Sequence, residues 1–375
     1  MNAVLACLRP NLSVFAGLAV ISILAMALLV LGSANRARAQ TTKIPYITNL
    51  NGPRGLILNA AGHLVIAEQG TGMNDSRLLE ATDLNADGDA DDEGELTEIA
   101  TGLPSILGGD PASPSRAGVS GVTQAIDGIY WLVVGGGVAT GGLPMPPFST
   151  LGRIVNGAYE VVVDLGQYEM DNDPDADGPD SNPYDLTVGD DGYLYVSDAG
   201  ANAVLRVNLE TGDITTYFVL PNVPNPLFDQ GLGGPTMDPV PTGLAFGIDG
   251  ALYVSFLTGF PFPQGAAFFV RLADLNSDGD AMDSGESFLV SGGLSALTDI
   301  TFDLEGAPYL VEFSTNFMGD NVPGRLMQYA PTGNVDIAID LITPTALVIS
   351  ESNIFISEES AGMVSQLPVL VPVPE

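Results

Sequence analysis

The 375-residue sequence predicts an all-β fold, a six-bladed β-propeller with four-stranded antiparallel blades and a ring closed by the N-terminal strand. The first observation behind it is an internal repeat of a strand, a tight turn and a second strand ending near an acid. The copies are GLILNAAGHLVIAEQG (55–70), VTQAIDGIYWLVVGGG (122–137), YDLTVGDDGYLYVSDAG (184–200), TGLAFGIDGALYVSFLTG (242–259), TDITFDLEGAPYLVEFS (298–314) and TALVISESNIFISEES (345–360). Their equivalent turn positions are Gly62, Gly128, Gly192, Gly250, Gly306 and Ser352. The second observation is punctuation. After the first forty residues, short runs rich in Val, Ile, Leu and Tyr alternate with Gly, Asp, Asn and Pro turns, and no stretch sustains helical periodicity. The third is an incomplete last copy. Each unit is followed by two more short strands, but the sixth ends after GMVSQLPVL, and KIPYITNL (43–50) is available to replace its missing outer strand. No blade can bury both faces alone, so residues 40–370 are expected to form one domain with a short tail, 371–375.

Residues 1–39 stand apart. Arg9 precedes an apolar run (12–31), and Ala37-Arg38-Ala39 supplies a small-x-small cleavage site. This pattern is a secretory signal, removed after Ala39. The run is also long enough for a membrane anchor, but the adjoining small-residue site favours cleavage. The only cysteine, Cys7, leaves with it, so no disulfide holds the mature fold. Eight basic residues then face 46 acidic ones, a net charge of −38. That balance excludes nucleic acid and anionic membrane surfaces as partners and favours divalent cations. A secreted or extracytoplasmic monomer is expected.

Strand order assigns each loop to a side of the ring. Turns joining first to second and third to fourth strands share one side; second-to-third loops and the crossovers between blades share the other. The long segments 105–119, 135–150, 167–182, 222–240, 256–266 and 313–324 all fall on the crossover side, which marks it as the binding face for a small molecule, glycan or protein.

On the opposite side two acidic loops join third to fourth strands: DLNADGDADDEGE (83–95) in blade 1 and DLNSDGDAMDSGE (274–286) in blade 4. The D-x-N-x-D-G spacing turns alternate oxygen ligands inward around a cation such as calcium, with glycine allowing the sharp bend. The candidate ligands are Asp83, Asn85, Asp87, Asp89 and Glu95, and Asp274, Asn276, Asp278, Asp280 and Glu286. An EF-hand carries its closing acid one residue earlier and has flanking helices, so Asp92 and Asp283 are alternative closing ligands. The competing reading is a hydrated acidic turn, disfavoured because the motif recurs in register. A third stretch, DNDPDADGPD (171–180), offers Asp171, Asp173, Asp175 and Asp177 on the crossover face without a matching partner.

Chemistry beyond metal binding has few candidates. Glu68, Asp198, Glu312 and Glu358 stand six residues after their turn positions and suit caps for the following loop better than a ring of metal ligands. The sole histidine, His63, lies in a turn on the wrong side for a catalytic base at the long loops. Arg54, Thr123, Tyr184, Asp185, Thr242, Asp299 and Thr345 stand where inner strands begin, at the tunnel mouth, able to bind a ligand or simply to fill the tunnel. Phe260 and Phe262, in LTGFPFPQGAAF (257–268), suit an aromatic or sugar ring.

DSNPYDLTVGDDGYLYVSDAGANAVLRV, VPTGLAFGIDGALYVSFLTGFPFPQGAAFFVRL, LTDITFDLEGAPYLVEFS and GRLMQYAPTGNVDIAIDLITPTAL together resemble the ScyD/ScyE family of secreted, NHL-like β-propeller proteins, over about residues 44–368. The resemblance implies an extracytoplasmic propeller and no particular reaction. The acidic inserts of blades 1 and 4 are additions to the family pattern. The sequence therefore predicts a secreted, calcium-binding propeller acting as a ligand-binding or scaffold module, with Arg54, Tyr184, Thr242, Phe260, Phe262 and Asp299 at the ligand. The alternative is a metal-assisted hydrolase of lactones or esters, with its metal on the tunnel axis.

Overall fold

The computed structural model describes residues 42–319 and 322–369. The signal segment read in 1–39 and the tail 371–375 lie outside the described residues. Among the described residues, no helix is long and apolar enough to cross a membrane.

Six four-stranded antiparallel sheets form a closed ring. Blade 1 is Pro53–Leu58, Leu64–Glu68, Ser76–Ala81 and Leu96–Leu103. Blade 2 takes the second half of Ser113–Gln124, then Tyr130–Val134, Thr150–Val155 and Ala158–Asp164. Blade 3 is Pro183–Val188, Tyr193–Asp198, Ala203–Asn208 and Ile214–Val219. Blade 4 is Pro241–Phe246, Leu252–Phe256, Ala267–Leu272 and Ser287–Leu294, and blade 5 is Leu297–Phe302, Pro308–Glu312, Gly324–Gln328 and Val335–Leu341. Blade 6 is Pro344–Ile349, Asn353–Glu358 and Met363–Pro368, completed by Ile44–Ile47 from the other end of the chain.

Alternation along each strand produces the core. In blade 1, Leu64 and Ile66 face blade 6 while Val65 and Ala67 face blade 2. The same switch places Leu194 and Val196 against blade 2 and Tyr195 against blade 4. Six apolar clusters result, one at each junction between neighbouring blades, so every sheet is covered on both faces. The turn glycines Gly62, Gly128, Gly192, Gly250 and Gly306 all have φ between 74° and 84°, the left-handed region that a side chain disfavours.

Four of the expected irregular segments contain regular structure, short elements in 135–150 and 222–240 and longer ones in the other two. Within 105–119, Ser105–Asp110 pairs with the first half of the long strand Ser113–Gln124, forming a ribbon that runs straight into blade 2. Its Gly, Pro and Ser content hides the period-two pattern. In 167–182 the chain forms the helix Leu165–Asn172, capped where Asp164 Oδ1 accepts from Gln167 N–H at 2.9 Å. Eight residues are too few to establish a 3.6-residue period in the sequence.

Closure is held by charge as well as by the sheet. Lys43, beside the N-terminal strand, donates from Nζ to Glu358 Oε1 at 2.8 Å and Oε2 at 2.6 Å, and Ile342 N–H donates to Oε2 at 2.6 Å. Glu358 is fully buried. Glu358→Ala strands Lys43 and the Ile342 N–H, and is expected to lower the unfolding free energy by about 3–5 kcal/mol. Exposed Glu351→Ala should change it by less than about 0.5 kcal/mol. Urea unfolding of the two variants checks this; equal effects would mean that the buried pair does not hold the ring.

Candidate functional site

The first candidate is the channel on the ring axis. Every innermost strand shifts register just after its first residue: Pro53 faces Glu68, for example, and Gly55 then faces Ala67. The extra residues are Arg54, Ser120, Tyr184, Thr242 (with Gly243), Thr298 and Thr345. In four blades the extra residue's hydroxyl donates to the first carbonyl of the next blade. Ser120 reaches Pro183 O at 2.9 Å, Thr242 reaches Leu297 O at 3.0 Å, Thr298 reaches Pro344 O at 3.1 Å and Thr345 reaches Pro53 O at 3.2 Å. Blades 1 and 3 have no such hydroxyl. There Arg54 and Tyr184 meet each other instead, the guanidinium carbon 4.9 Å from the ring centroid in a cation–π contact. The Tyr184 hydroxyl is buried without a hydrogen-bond partner.

The next residue along each inner strand is Gly55, Gly121, Asp185, Gly243, Asp299 or Ala346. Small residues are required beside the acids: a Cβ on Gly243 would lie 2.2 Å from Asp299 Oδ1. Asp299 Oδ2 accepts from Leu347 N–H of blade 6 at 2.7 Å, and Oδ1 accepts from Ile300 N–H at 2.7 Å. Asp185 Oδ2 accepts from Leu244 N–H of blade 4 at 3.4 Å. Burial pushes both carboxyls above the ordinary range, and the charge of Asp185 raises Asp299 further. These residues, with Thr123 and Thr345 and aliphatic neighbours such as Leu56 and Val348, line a cavity of about 170 Å³.

The predicted ligand residues separate into three groups. Arg54, Tyr184 and Asp299 line the channel. Thr242 does not: it is buried, its hydroxyl bonded to Ser255 as well as Leu297. Phe260 and Phe262 belong to a different feature, an aromatic cluster between the second-to-third-strand loops of blades 4 and 5. Phe262 lies 4.4 Å from Phe317 and 6.1 Å from Phe260, centroid to centroid, and Phe317 lies 5.6 Å from Phe313. Phe260 is 56% exposed at its edge.

The buried rim acids are clamps. Glu68 is held by Arg77 and the Asn51 N–H, and Glu312 by Arg325 and the Ser295 N–H. Asp198 accepts from Ser181 Oγ at 2.7 Å and Asn182 N–H at 2.6 Å. His63 approaches Glu80 Oε1 at 3.1 Å through Nδ1, in its expected turn.

The two acidic hairpins superpose bond for bond. Asp83 Oδ1 accepts from Ala86 N–H at 2.7 Å and Oδ2 from Gly88 N–H at 3.0 Å; Asp274 does the same for Ser277 at 2.6 Å and Gly279 at 3.0 Å. Asn85 Nδ2 lies between Asp87 Oδ2 (3.0 Å) and Asp92 Oδ2 (2.6 Å), and Asn276 Nδ2 between Asp278 and Asp283 in the same way. An amide donor thus sits where two carboxylates require positive charge, and the surrounding donor set is all oxygen. This fits a hard cation such as calcium. Glu95 and Glu286 are oriented differently. Both are buried and accept three backbone N–H groups, those of Leu84, Asn85 and Asp92 and of Leu275, Asn276 and Asp283. They clamp the loops shut, and the acids facing the asparagines are Asp92 and Asp283. Asp89 and Asp280 each accept a backbone N–H two residues on, from Asp91 and Met282.

Sequence reasoning missed Glu169. The helix Leu165–Asn172 places it one turn before Asp173, so the two share a face. Glu169, Asp173 and Asp175 bring carboxylate oxygens within 4.8 Å of one another. Burial, and then Asp198, Asp175 and Asp173, push Glu169 up to about 8. The signal available in the sequence was the Glu169/Asp173 spacing of four behind a capping Asp164.

No family model and no curated protein matches the sequence. Solved structures share its fold. A gluconolactonase from Xanthomonas campestris aligns with a TM-score of 0.56 at 13% identity, over 89% of this chain and 96% of its own. The PQQ-bound aldose sugar dehydrogenase from Streptomyces coelicolor gives 0.55 at 14%, over 88% and 99%. A catalytically inactive virginiamycin B lyase from Staphylococcus aureus, solved with quinupristin, gives 0.51 at 16%, over 88% and 99%. At such identities the likeness is one of fold.

The raised channel acids predict a pH dependence. A carboxyl whose native pKa lies above its unfolded value keeps its proton longer in the folded state. Stability therefore falls as pH rises from about 4. Asp185→Asn should flatten that fall, by removing one such group and the charge that raises Asp299. Unfolding free energies at pH 4 and pH 7 check it; an identical drop in both proteins would refute the coupling.

Proposed function

We propose that the protein is a secreted, calcium-binding propeller of the ScyD/ScyE kind that works as a ligand-binding or scaffold module, taking its ligand on the crossover face. The observation that carries this reading is the commitment of the channel acids. Asp185 and Asp299 both accept backbone N–H groups of the next blade, which makes them part of the ring. Among the described residues lining the channel there is no His, Asn or Glu to complete an open metal site. The crossover face, by contrast, offers the exposed Phe260, braced through Phe262 and Phe317. An exposed, braced aromatic ring suits a sugar or aromatic ring as ligand. Calcium would be held by Asp83, Asn85, Asp87 and Asp92 in blade 1 and by Asp274, Asn276, Asp278 and Asp283 in blade 4. It would supply positive charge to the carboxylates of each hairpin. The acidic surface argues against nucleic acid as a partner, and the closed ring leaves no blade edge that needs a second copy.

The alternative, a metal-assisted lactonase or esterase, draws on the paired acids of the channel and on the gluconolactonase named among the fold neighbours. It needs a metal held by Asp185 and Asp299, the two acids among the residues lining the channel.

Two measurements test the proposal. Chelation should lower the melting temperature, because each site stabilises the native state by about 2.7 kcal/mol at a calcium concentration 100 times its Kd. Asp87→Asn with Asp278→Asn should shrink the difference, and a midpoint that ignores chelator in the unaltered protein would leave the hairpins as plain acidic turns. For the ligand face, a panel of mono- and disaccharides and aromatic acids screened by calorimetry should yield a binder whose affinity drops about tenfold or more in Phe260→Ser. Hydrolysis of a lactone panel that disappears in Asp299→Asn would replace this reading with the enzymatic one.

A further inference from the structure

The crossover between blades 2 and 3 holds an acid that the fold leaves without a partner. Glu169 is only 1% exposed, and neither of its carboxylate oxygens has a hydrogen-bond partner. The approach of the Asp180 backbone falls short of hydrogen-bond geometry. An unpaired buried carboxylate costs several kcal/mol, and native structures keep one only where something compensates it. No basic side chain forms an ion pair with it among the described residues. What surrounds it is more negative charge: Asp173 and Asp175 converge on it with oxygens within 4.8 Å. It also stands near the C-terminal end of its helix, where the macrodipole is negative as well.

The neighbouring acids are held in place rather than neutralised. Asp173 Oδ1 accepts from Gly178 N–H at 3.1 Å. Asp175 Oδ1 accepts from Asp177 N–H at 3.0 Å and its Oδ2 from Asn202 Nδ2 at 2.7 Å. Asn202 in turn accepts from Val240 N–H, 3.2 Å away, where the next crossover enters blade 4. Asn222, in that same crossover, donates to Asp177 Oδ2 at 2.9 Å.

We infer that Glu169, Asp173 and Asp175 form a binding site for a hard divalent cation, calcium by preference, on the crossover face. An all-oxygen, carboxylate-rich donor set with one ligand from a helix and two from the loop that follows it suits the six-to-eight-coordinate, irregular shell of calcium better than the strict octahedron of magnesium. The site is separate from the two hairpins, on the other side of the ring. It joins the blade 2–3 crossover, through Asp175 and Asn202, to the start of blade 4, so an ion there would stiffen two of the segments that form the ligand face.

Calcium chloride alone, titrated calorimetrically into metal-stripped protein, tests this. Five proteins are compared: the unaltered chain, Glu169→Gln, Asp173→Asn, the hairpin double variant Asp83→Asn/Asp274→Asn, and the triple combination of that double variant with Glu169→Gln. Glu169→Gln should bind one ion fewer than the unaltered chain, and the hairpin variant should retain an ion that the triple variant loses. Asp173→Asn, altered on the half-buried loop, should reproduce the loss if the buried Gln fails to fold. Unchanged stoichiometry in Glu169→Gln and Asp173→Asn, or a hairpin variant that binds no calcium, overturns the inference. An unaltered chain that binds a single ion, lost in Glu169→Gln, supports it while removing the hairpin reading, so the two ideas fail separately.

Discussion

Six inner strands converge on one axis, and at that convergence each must pass close to the next without leaving polar backbone groups unpaired. A bulge in every inner strand meets the steric demand and creates the polar one. Four hydroxyls, on Ser120, Thr242, Thr298 and Thr345, and two carboxylates, on Asp185 and Asp299, then bridge five of the six junctions, all but that between blades 1 and 2. Each bond contributes only about 1 kcal/mol net, but an orphaned group there would cost about 1–3 kcal/mol. The blade-to-blade apolar clusters can close only where this inner ring already fits. The same constraint makes the channel narrow and its polar residues structural, which moves the search for function outward to the loops.

The acidic hairpins show how an inserted loop becomes part of the frame. Ala90, buried at the tip of the first, donates its N–H to Tyr46 O of the N-terminal strand at 2.9 Å, while Asp91 caps Thr48. Ala281 in the second donates to Tyr217 O, in the outer strand of blade 3, at 2.8 Å. Each insert therefore leans on the outermost strand of the preceding blade, through the same atoms. Of the ten residues shared among thirteen, the small Ala and the clamping Glu serve docking, and the alternating Asp and Asn would serve the proposed cation.

The ring was legible because repetition overrides local ambiguity: one turn glycine says little, but five at the same place in successive strand pairs define a register. The swap of Ile44–Ile47 into blade 6 followed from counting strands. The hairpins were legible for the same reason, by recurrence. Side-chain direction was not. Thr242 and Tyr184 occupy equivalent positions, yet one points to the next blade and the other into the channel, and only size and the partner Arg54 decide that. Glu95 reads as a closing ligand by spacing, while burial turns it toward three backbone donors. Glu169 was harder to see, because its spacing of four from Asp173 gains meaning only from an eight-residue helix and a buried setting that a linear pattern does not reveal.

The strand Ile44–Ile47 has a consequence for how the molecule comes into being. Its partner, Met363–Pro368, is made more than 300 residues later. Until then the chain has two bare ends, one apolar face of blade 1 and an unmatched edge of the growing array. A nascent intermediate of this kind is exposed to misassociation with other unfinished copies. Vectorial synthesis thus makes the early strand wait, unfolded or shielded, for the segment that completes blade 6.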